Sequence, residues 1–187
     1  IILCCVTASA LCFSCGKKEK DTKTLGEKQE HLATNTLHKI DIKENESRVF
    51  VKDRASEYVI VADNDGEKMK KAADLIVKHV NVATGASLKR EIYSEDREKG
   101  WTEKDKLIVF DNKQFFAKAG LNMPAENLNN NGYHIKTAGN TVFIMCGGED
   151  GYQLGAIKFL EATLGYDMLA EDCVVYEKSG ETIPDMD

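Results

Sequence analysis

The sequence has few of the residues that build common functional sites. Its 187 residues include two prolines, one tryptophan and four histidines. Beyond residue 15 the only cysteines are Cys146 and Cys173, with no Cys-x-x-Cys pair and no Cys/His cluster of zinc-site spacing. We therefore predict no metal and no cofactor. The two thiols form a disulfide only if they meet in an oxidising compartment; buried unpaired thiols are the commoner case.

A strong charge of one sign is also missing. The formal net charge is −6, and Lys-rich and Glu-rich stretches alternate along the chain. Because nucleic-acid surfaces cluster Lys and Arg, this pattern argues against nucleic acid as the main partner. The apolar share of 42% is sufficient for one globular core, and the length fits one domain with a leader or tail.

The first fifteen residues form an apolar run that is shorter than the ~20 residues of a membrane-spanning helix. Such a run is typical of the hydrophobic part of a secretory signal. Ser14 before Cys15, after apolar residues, resembles a bacterial lipobox, although Cys12 stands where Leu or Val is usual. We therefore expect Cys15 to be the lipidated first residue of an exported protein. A plain signal peptide and a buried strand are the alternatives.

Residues 16–36 are mostly Lys, Glu, Thr and Gln. This composition cannot bury enough apolar surface to offset chain entropy, so we predict a flexible tether. The folded domain is then expected at residues 37–187. The residue after Cys15 is Gly16 and not aspartate. This favours a lipid anchor in the outer membrane, on either its periplasmic or its cell-surface side.

Hydrophobic periodicity predicts strands that alternate with helices. Helices are predicted at 67–83, ending at Gly85, at 113–119, capped by Asn112, and at 152–164, ending at Gly165. Strands are predicted at 39–43, 48–52, 58–62, 88–93, 106–111, 133–137, 141–146, 167–170, 174–177 and 181–183. The hairpin at 133–146 excludes a purely parallel sheet. The predicted fold class is an α/β or α+β sandwich, a mixed β-sheet with two to three helices mainly on one face. The charged segment 94–105, which carries Trp101, is predicted to be a loop.

Two loops resemble ligand-binding loops at first sight. The loop Gly147–Gly151 lies between a strand and a helix, where backbone amides can bind an anion. It matches neither the dinucleotide fingerprint nor the P-loop, and its two acidic residues would face the anion. The loop Asp63–Gly66 resembles a calcium loop, but its first and twelfth ligands would be Val61 and Ala72. We therefore predict a turn with a helix start in the first case and an Asx turn in the second.

The remaining polar and aromatic candidates have structural interpretations. The carboxylate pairs Glu149/Asp150 and Glu171/Asp172 are adjacent residues, whereas a glycosidase holds two carboxyls ~5–10 Å apart across a bond. His79 lies beside the apolar face of its helix and is expected to be a packed or boundary residue, and His134 is expected to face outward from its strand. Four aromatic residues could stack on a sugar: Trp101, Tyr133, Tyr152 and Tyr166. Aromatic residues that are scattered along a sequence are more often core or boundary residues. No catalytic set is predicted.

Three segments together resemble a known domain. The helix at 72–79 that leads into Thr84-Gly85-Ala86-Ser87-Leu88 is similar to its "helix, then Thr-Gly-Ala-x-Leu" element. Residues 131–135 are similar to its "Glu-Gly-Tyr-x-Ile" strand, with Asn131 in place of the acidic residue. Residues 151–169 are similar to its "Gly-x-x-x-Gly-x-x-x-Phe-Leu-Glu…Leu-Gly" helix. The domain is the non-catalytic N-terminal domain that precedes the barrel in α-glucuronidases, β-N-acetylhexosaminidases and related glycoside-hydrolase-like lipoproteins.

The resemblance covers residues 58–184 and implies a role without chemistry of its own. In this family a mixed sheet carries helices on one face, and the catalytic carboxylates lie on a following (β/α)8 barrel. We therefore expect a fragment of an exported glycoside hydrolase, whose partner is that barrel and whose wider ligand is a glycan. No catalytic residue transfers to this chain.

Two alternatives remain open at this stage. A stand-alone carbohydrate-binding surface lipoprotein would show a concave aromatic cluster, and an accessory domain would show a large exposed apolar patch. A small nucleotide-binding α/β enzyme would need a phosphate-binding loop and a cytoplasmic address, and the leader argues against both.

Overall fold

The computed structural model describes residues 42–121, 128–170 and 173–187. The leader at 1–15 with Cys15, the tether at 16–36 and the pair Glu171/Asp172 lie outside the described residues. None of the helices in the described ranges is long and apolar enough to cross a membrane.

The described residues form short strands and four helices that follow the predicted alternation. The strands are β1 Ile42–Lys43, β2 Val59–Ala62, β3 Lys89–Ile92, β4 Leu107–Phe110, β5 Tyr133–Ala138, β6 Thr141–Cys146, β7 Tyr166–Ala170, β8 Cys173–Tyr176 and β9 Asp185–Met186. The helices are α1 Glu67–Thr84, α2 Glu95–Lys99, α3 Lys113–Lys118 and α4 Glu149–Leu164.

Five strands form the main sheet in the order β3-β2-β4-β6-β5. The first four are parallel, and β5 runs antiparallel to β6. The predicted mixed sheet is therefore confirmed. All residues of β4 and β6 are buried, as expected for apolar strands covered on both faces. The edge strand β3 is mostly exposed and carries Lys89, Arg90 and Glu91, charges that protect an open sheet edge.

The two long helices lie on one face of the sheet. The buried side of α1 includes Met69, Ile76 and Val80, and that of α4 includes Phe159 and Leu160. These residues share one apolar core with inward-facing residues of the strands. Both helices end at a glycine in the left-handed conformation, Gly85 and Gly165, as the sequence predicted.

The opposite face has a thinner cover. Phe115 and Phe116 of α3 pack there on β4 and β6, and Trp101 lies beside them. The helices thus lie mainly on one face, as predicted, and a smaller apolar cluster protects the other. His134 of β5 is half-buried on this second face, with its ring 6.3 Å from that of Phe116. Its predicted outward orientation is therefore wrong, because α3 covers the side of β5 that was expected to be in water.

Other differences from the predicted elements concern short segments. The predicted strand at 48–52 is limited to a bridge between Val49 and Thr182, and the chain then reverses at 52–55 through residues with positive φ. The predicted strand at 181–183 is this same bridge, and pairing resumes only at β9. The predicted loop at 94–105 contains α2, which begins where Ser94 Oγ accepts a hydrogen bond from Arg97 N.

Candidate functional site

The strongest candidate for a functional site is the edge of the sheet at the carboxyl ends of its parallel strands. From β2 the chain passes through α1 to β3 on one side and then returns to β4 on the other side of β2. Open α/β sheets bind ligands at such a reversal of strand order. Asp63 follows β2, Asp111 and Asn112 follow β4, and Cys146 ends β6.

Asn112 connects two of these strand ends. Its side-chain Nδ2 donates to Asp63 Oδ1 at 2.7 Å, and its Oδ1 accepts from Phe115 N at 2.7 Å. The second bond caps helix α3, as the sequence predicted. Since Asn112 is buried, both bonds compensate for the removal of its amide from water.

Asp111 connects β4 to β6. Its backbone N–H donates to Ile144 O at 2.8 Å, and its Oδ1 accepts from Cys146 N at 3.1 Å. The residue has a positive φ of 50°, which is uncommon outside glycine but tolerated best by Asp and Asn. This conformation lets one residue satisfy the ends of two neighbouring strands.

Three titratable groups of this cluster have raised pKa values. Burial raises the pKa of Asp111, and hydrogen bonds from Cys146 N–H and the Tyr152 hydroxyl oppose that rise. Burial also raises the pKa of the Cys146 thiol and of the Tyr152 hydroxyl, and the nearby Asp111 carboxylate adds to both increases. Because a thiolate is the reactive form of cysteine, Cys146 is not activated as a nucleophile.

Two backbone amides of the glycine-rich loop before α4 donate to nearby backbone carbonyls. Gly147 N–H donates to Gly132 O at 2.9 Å, and Gly151 N–H donates to Gly148 O at 3.0 Å and to Asn130 O at 3.1 Å. The prediction of a turn and helix start is confirmed. The Asx turn is confirmed as well, with Gly66 N donating to Asn64 Oδ1 at 2.8 Å just before α1.

The adjacent carboxylates Glu149 and Asp150 form an ion pair with one lysine. Lys68 Nζ of α1 lies 3.3 Å from Glu149 Oε2 and 2.9 Å from Asp150 Oδ1. Hydrogen bonding to Lys68 lowers the pKa of Asp150. All three side chains are exposed, so the contact links the first turns of α1 and α4 and does not form an acid/base pair across a bond.

The aromatic candidates for sugar stacking are used in packing. Trp101 contacts Phe115 and Phe143 edge to face, at 5.8 and 6.2 Å between ring centroids, and its Nε1 donates to Thr141 Oγ1 at 2.9 Å. Tyr166 is buried against His79. The half-buried Tyr133 and Tyr152 pack on the main core. These four residues therefore do not form an exposed stacking surface.

The described ranges hold no group of three or more His, Cys, Asp or Glu residues that could bind a metal ion. Cys146 is buried and Cys173 is exposed, and both are free thiols. The two cysteines that could have formed a disulfide are therefore not bonded to each other.

Comparison with known proteins finds remote likenesses among solved structures only. No protein-family model matches the chain, and no curated protein matches it. Among solved structures, an inactive mutant of a GH20 exo-β-N-acetylglucosaminidase from Vibrio harveyi is similar, with 14% sequence identity and a TM-score of 0.39. The likeness covers 79% of this chain and 18% of that protein, so the chain spans less than a fifth of its length.

The sequence interpretation missed Asp63 and Asp111 as members of this cluster. The available signal was their position, since each directly follows a buried apolar strand and parallel strands end at one edge. The hydrogen bonds of Asn112 and Asp111 join the ends of β2, β4 and β6. The described residues of the cluster contain no activated nucleophile.

Replacement of Asp111 separates its charge from its structural contacts. We expect the free energy of unfolding of Asp111→Asn to lie within about 1 kcal/mol of the wild-type value at neutral pH, because Asn tolerates positive φ and keeps an acceptor for Cys146 N. Asp111→Ala should lose about 2 kcal/mol, since it combines backbone strain with lost hydrogen bonds. Urea denaturation of the two variants measures the difference, and equal losses would contradict this role.

The same variants predict a pH dependence. Because the pKa of Asp111 is raised in the folded state above its ordinary 3.8, the folded protein binds the proton more tightly than the unfolded chain. The contribution of Asp111 to stability should therefore decline as the pH rises from 3.8 through the folded pKa. Asp111→Asn should remove this decline.

Proposed function

We propose that this chain is the non-catalytic N-terminal domain of an exported glycoside-hydrolase-like protein that acts in polysaccharide or oligosaccharide degradation. The observation that carries the proposal is the place of the three sequence motifs in the fold. They lie in the end of α1, in β5 and in α4, which are parts of one packing unit. Their residues hold the scaffold together and do not converge on a reactive centre.

The motif residues have identifiable structural tasks. Gly85 ends α1 with a φ of +76°, a conformation that favours glycine. Ile135 of β5 and Phe159 of α4 are fully buried in the main core. Gly155 lets α4 approach β6, since a Cβ at this position would lie 2.6 Å from Ile144 Cγ2. A motif that encodes close packing supports an accessory role better than a catalytic one.

Exposed apolar side chains of the β7–β8 hairpin support a partner domain. Met168 and Leu169 of β7 are 56% and 65% exposed, and Val175 of β8 is 38% exposed. Large exposed apolar patches mark interaction sites, and three large apolar side chains are exposed on this one hairpin. We propose that the partner is a catalytic (β/α)8 barrel in the same polypeptide, and that lipidation at Cys15 anchors the protein to the outer membrane.

The stand-alone carbohydrate-binding lipoprotein is less well supported. None of the large hydrophobic side chains that are exposed in the described ranges is aromatic. Sugar stacking needs accessible aromatic faces. A glycan array probed with the full chain separates the two functions. Binding that is lost on replacement of an aromatic residue would favour the binding module.

The accessory role predicts a chain without turnover. We expect no hydrolysis of aryl glycosides by the full chain, because Glu149 and Asp150 are exposed and paired with Lys68. Release of the aryl alcohol is the measurement. Turnover that is abolished by Glu149→Gln or Asp150→Asn, but retained in the control Glu67→Gln on α1, would contradict the proposal.

The gene sequence beyond the codon for Asp187 tests the partner separately. We expect an in-frame barrel with two paired carboxylates. A stop codon immediately after Asp187 would contradict the proposed partner domain. The non-catalytic role of this chain would still be tested by the turnover assay.

A further inference from the structure

The β7–β8 hairpin is joined to helix α1 through a buried histidine. His79 of α1 is only 5% exposed, and its Nδ1 lies 2.7 Å from the Tyr176 hydroxyl of β8. The ring of Tyr166 in β7 lies edge to face at 4.7 Å from the imidazole. Tyr166 and Tyr176 are paired residues at the base of the hairpin, so both strands cover the same imidazole.

The remaining anchors of the hairpin lie at its base. Glu177 N–H donates to Gly165 O at 3.2 Å, and Lys178 N–H donates to Leu164 O at 2.9 Å. Toward its tip, the residues of β7 beyond Tyr166 are exposed. The contact between Tyr176 and His79 is therefore the main side-chain hydrogen bond between the hairpin and helix α1 among the described residues.

We propose that His79 is a protonation-sensitive latch that holds the β7–β8 hairpin against helix α1 and loosens it on acidification. A neutral imidazole shares one hydrogen bond with Tyr176 and packs against Tyr166. An imidazolium in the same place has little contact with water, which is costly for a charged group. The charge regains water when the two tyrosines that cover it move away, and that movement opens the hairpin.

The surroundings of His79 do not compensate for a positive charge. The charged group that acts on it from its own helix is Lys78, and the groups that face it from the hairpin are Tyr166 and Tyr176. Beyond β8, Lys178 Nζ binds Ala162 O at 2.9 Å and Glu44 Oε1 at 3.4 Å. Burial and then Lys78 lower the pKa of His79 from its ordinary 6.5.

The direction of the pH effect follows from this shift. When the hairpin is open, His79 is hydrated and takes up a proton near its ordinary pKa; when the hairpin is closed, it does so only at lower pH. The closed state is therefore fully favoured above pH 6.5 and is weakened as the pH falls toward the folded pKa. One linked proton changes the opening equilibrium by at most about tenfold per pH unit.

Hydrogen exchange of the full chain tests the latch. Protection factors of the 166–176 segment, corrected for intrinsic exchange, are compared at pH 7.5 and 5.5, with α4 as the internal control. We expect hairpin protection to fall by several-fold and at most about tenfold between pH 7.5 and 5.5, while α4 remains unchanged. The His79→Phe variant should lose this dependence. Tyr176→Phe should show lower protection already at pH 7.5.

Matched controls make the test decisive. His134→Phe replaces the other histidine whose pKa burial lowers and should leave the response of the hairpin intact. Unchanged hairpin protection in wild type, the same response in His79→Phe, or an equal fall in α4 would each overturn the latch. Should His79→Phe fail to fold, wild-type NMR serves instead: the His79 ring and the hairpin amides must titrate with one midpoint, and separate midpoints would overturn the proposal.

Discussion

Arg48→Met is expected to lower the free energy of unfolding by about 3 kcal/mol. Arg48 is only 6% exposed. Methionine keeps much of the aliphatic stem and removes the guanidinium, so the loss reports on the polar contacts. Urea denaturation with several probes gives the value, provided that unfolding is two-state.

The size of the effect comes from the partners that Arg48 leaves behind. Its Nη2 and Nε donate to Gly139 O at 2.7 and 3.0 Å, and its Nη1 donates to Pro184 O and Ile183 O at 3.1 and 3.2 Å. One side chain thus joins the turn between β5 and β6 to the segment before β9. Ile183 and Pro184 are buried, and a buried carbonyl that loses its donor costs about 1–3 kcal/mol.

A control variant distinguishes these contacts from the ion pair. Arg48 Nη2 also lies 2.7 Å from Asp185 Oδ1, but Asp185 is 46% exposed. Exposed ion pairs contribute about 0–1 kcal/mol, so Asp185→Asn should cost far less than Arg48→Met. Equal losses would mean that the ion pair dominates, and a loss below about 1 kcal/mol in Arg48→Met would contradict the role assigned to its carbonyl contacts.

The contact between Arg48 and Asp185 also predicts how stability depends on pH in the acid range. Burial tends to raise the pKa of Asp185, but hydrogen bonds from Arg48 and Asn45 outweigh it, and the pKa is lowered below its ordinary 3.8. This contribution is present above that value and is lost as the pH falls through the folded pKa. Asp185→Asn should flatten the profile in that range.

The elements that the sequence predicted are those fixed by local patterns. The apolar run of β4 and the mostly apolar run of β6 indicated strands, and Gly85 and Gly165 marked helix ends because their conformation favours glycine. The Asn112 cap depended on a residue three positions away. In each case the interaction that determines the structure lies within a few residues of the signal.

The features that the sequence did not predict depend on distant partners. Arg48 begins an apparently extended segment, but its acceptors lie 91 to 136 residues later in the chain. His134 follows the alternation of a half-exposed strand, and only the position of α3 covers it. Asp63 and Asp111 are distant in sequence, and parallel pairing of β2 and β4 brings their strand ends together. Single-sequence patterns contain no term for such contacts.

The second large effect is expected at Gly155, where helix α4 approaches strand β6. A Cβ at this position would lie 2.6 Å from Ile144 Cγ2, and 3.6 Å from both Cys146 Sγ and Tyr133 Cβ. Gly155→Val should therefore lower the free energy of unfolding by about 3 kcal/mol through overpacking. Gly155→Ala should cost about 1–2 kcal/mol, because the steric cost exceeds the roughly 1 kcal/mol gained in helix propensity.

Gly120 supplies a contrasting case, in which backbone conformation and not packing determines the cost of a substitution. It has a φ of +71°, and a Cβ placed there meets no atom within 4 Å. Gly120→Ala should therefore show only the backbone cost of a left-handed residue, about 1–2 kcal/mol, and the neighbouring core should not change that cost.

A double-mutant cycle with Ile144 isolates the contact itself. Ile144→Ala alone should cost about 2–5 kcal/mol, because it leaves a cavity under α4. The same truncation removes the Cγ2 atom that meets the new side chain at position 155, so the combined variant Gly155→Ala/Ile144→Ala should be less destabilised than the sum of the two single changes. Strict additivity would show that the cost at Gly155 does not arise from this contact, and the close packing of α4 on β6 would then need another cause.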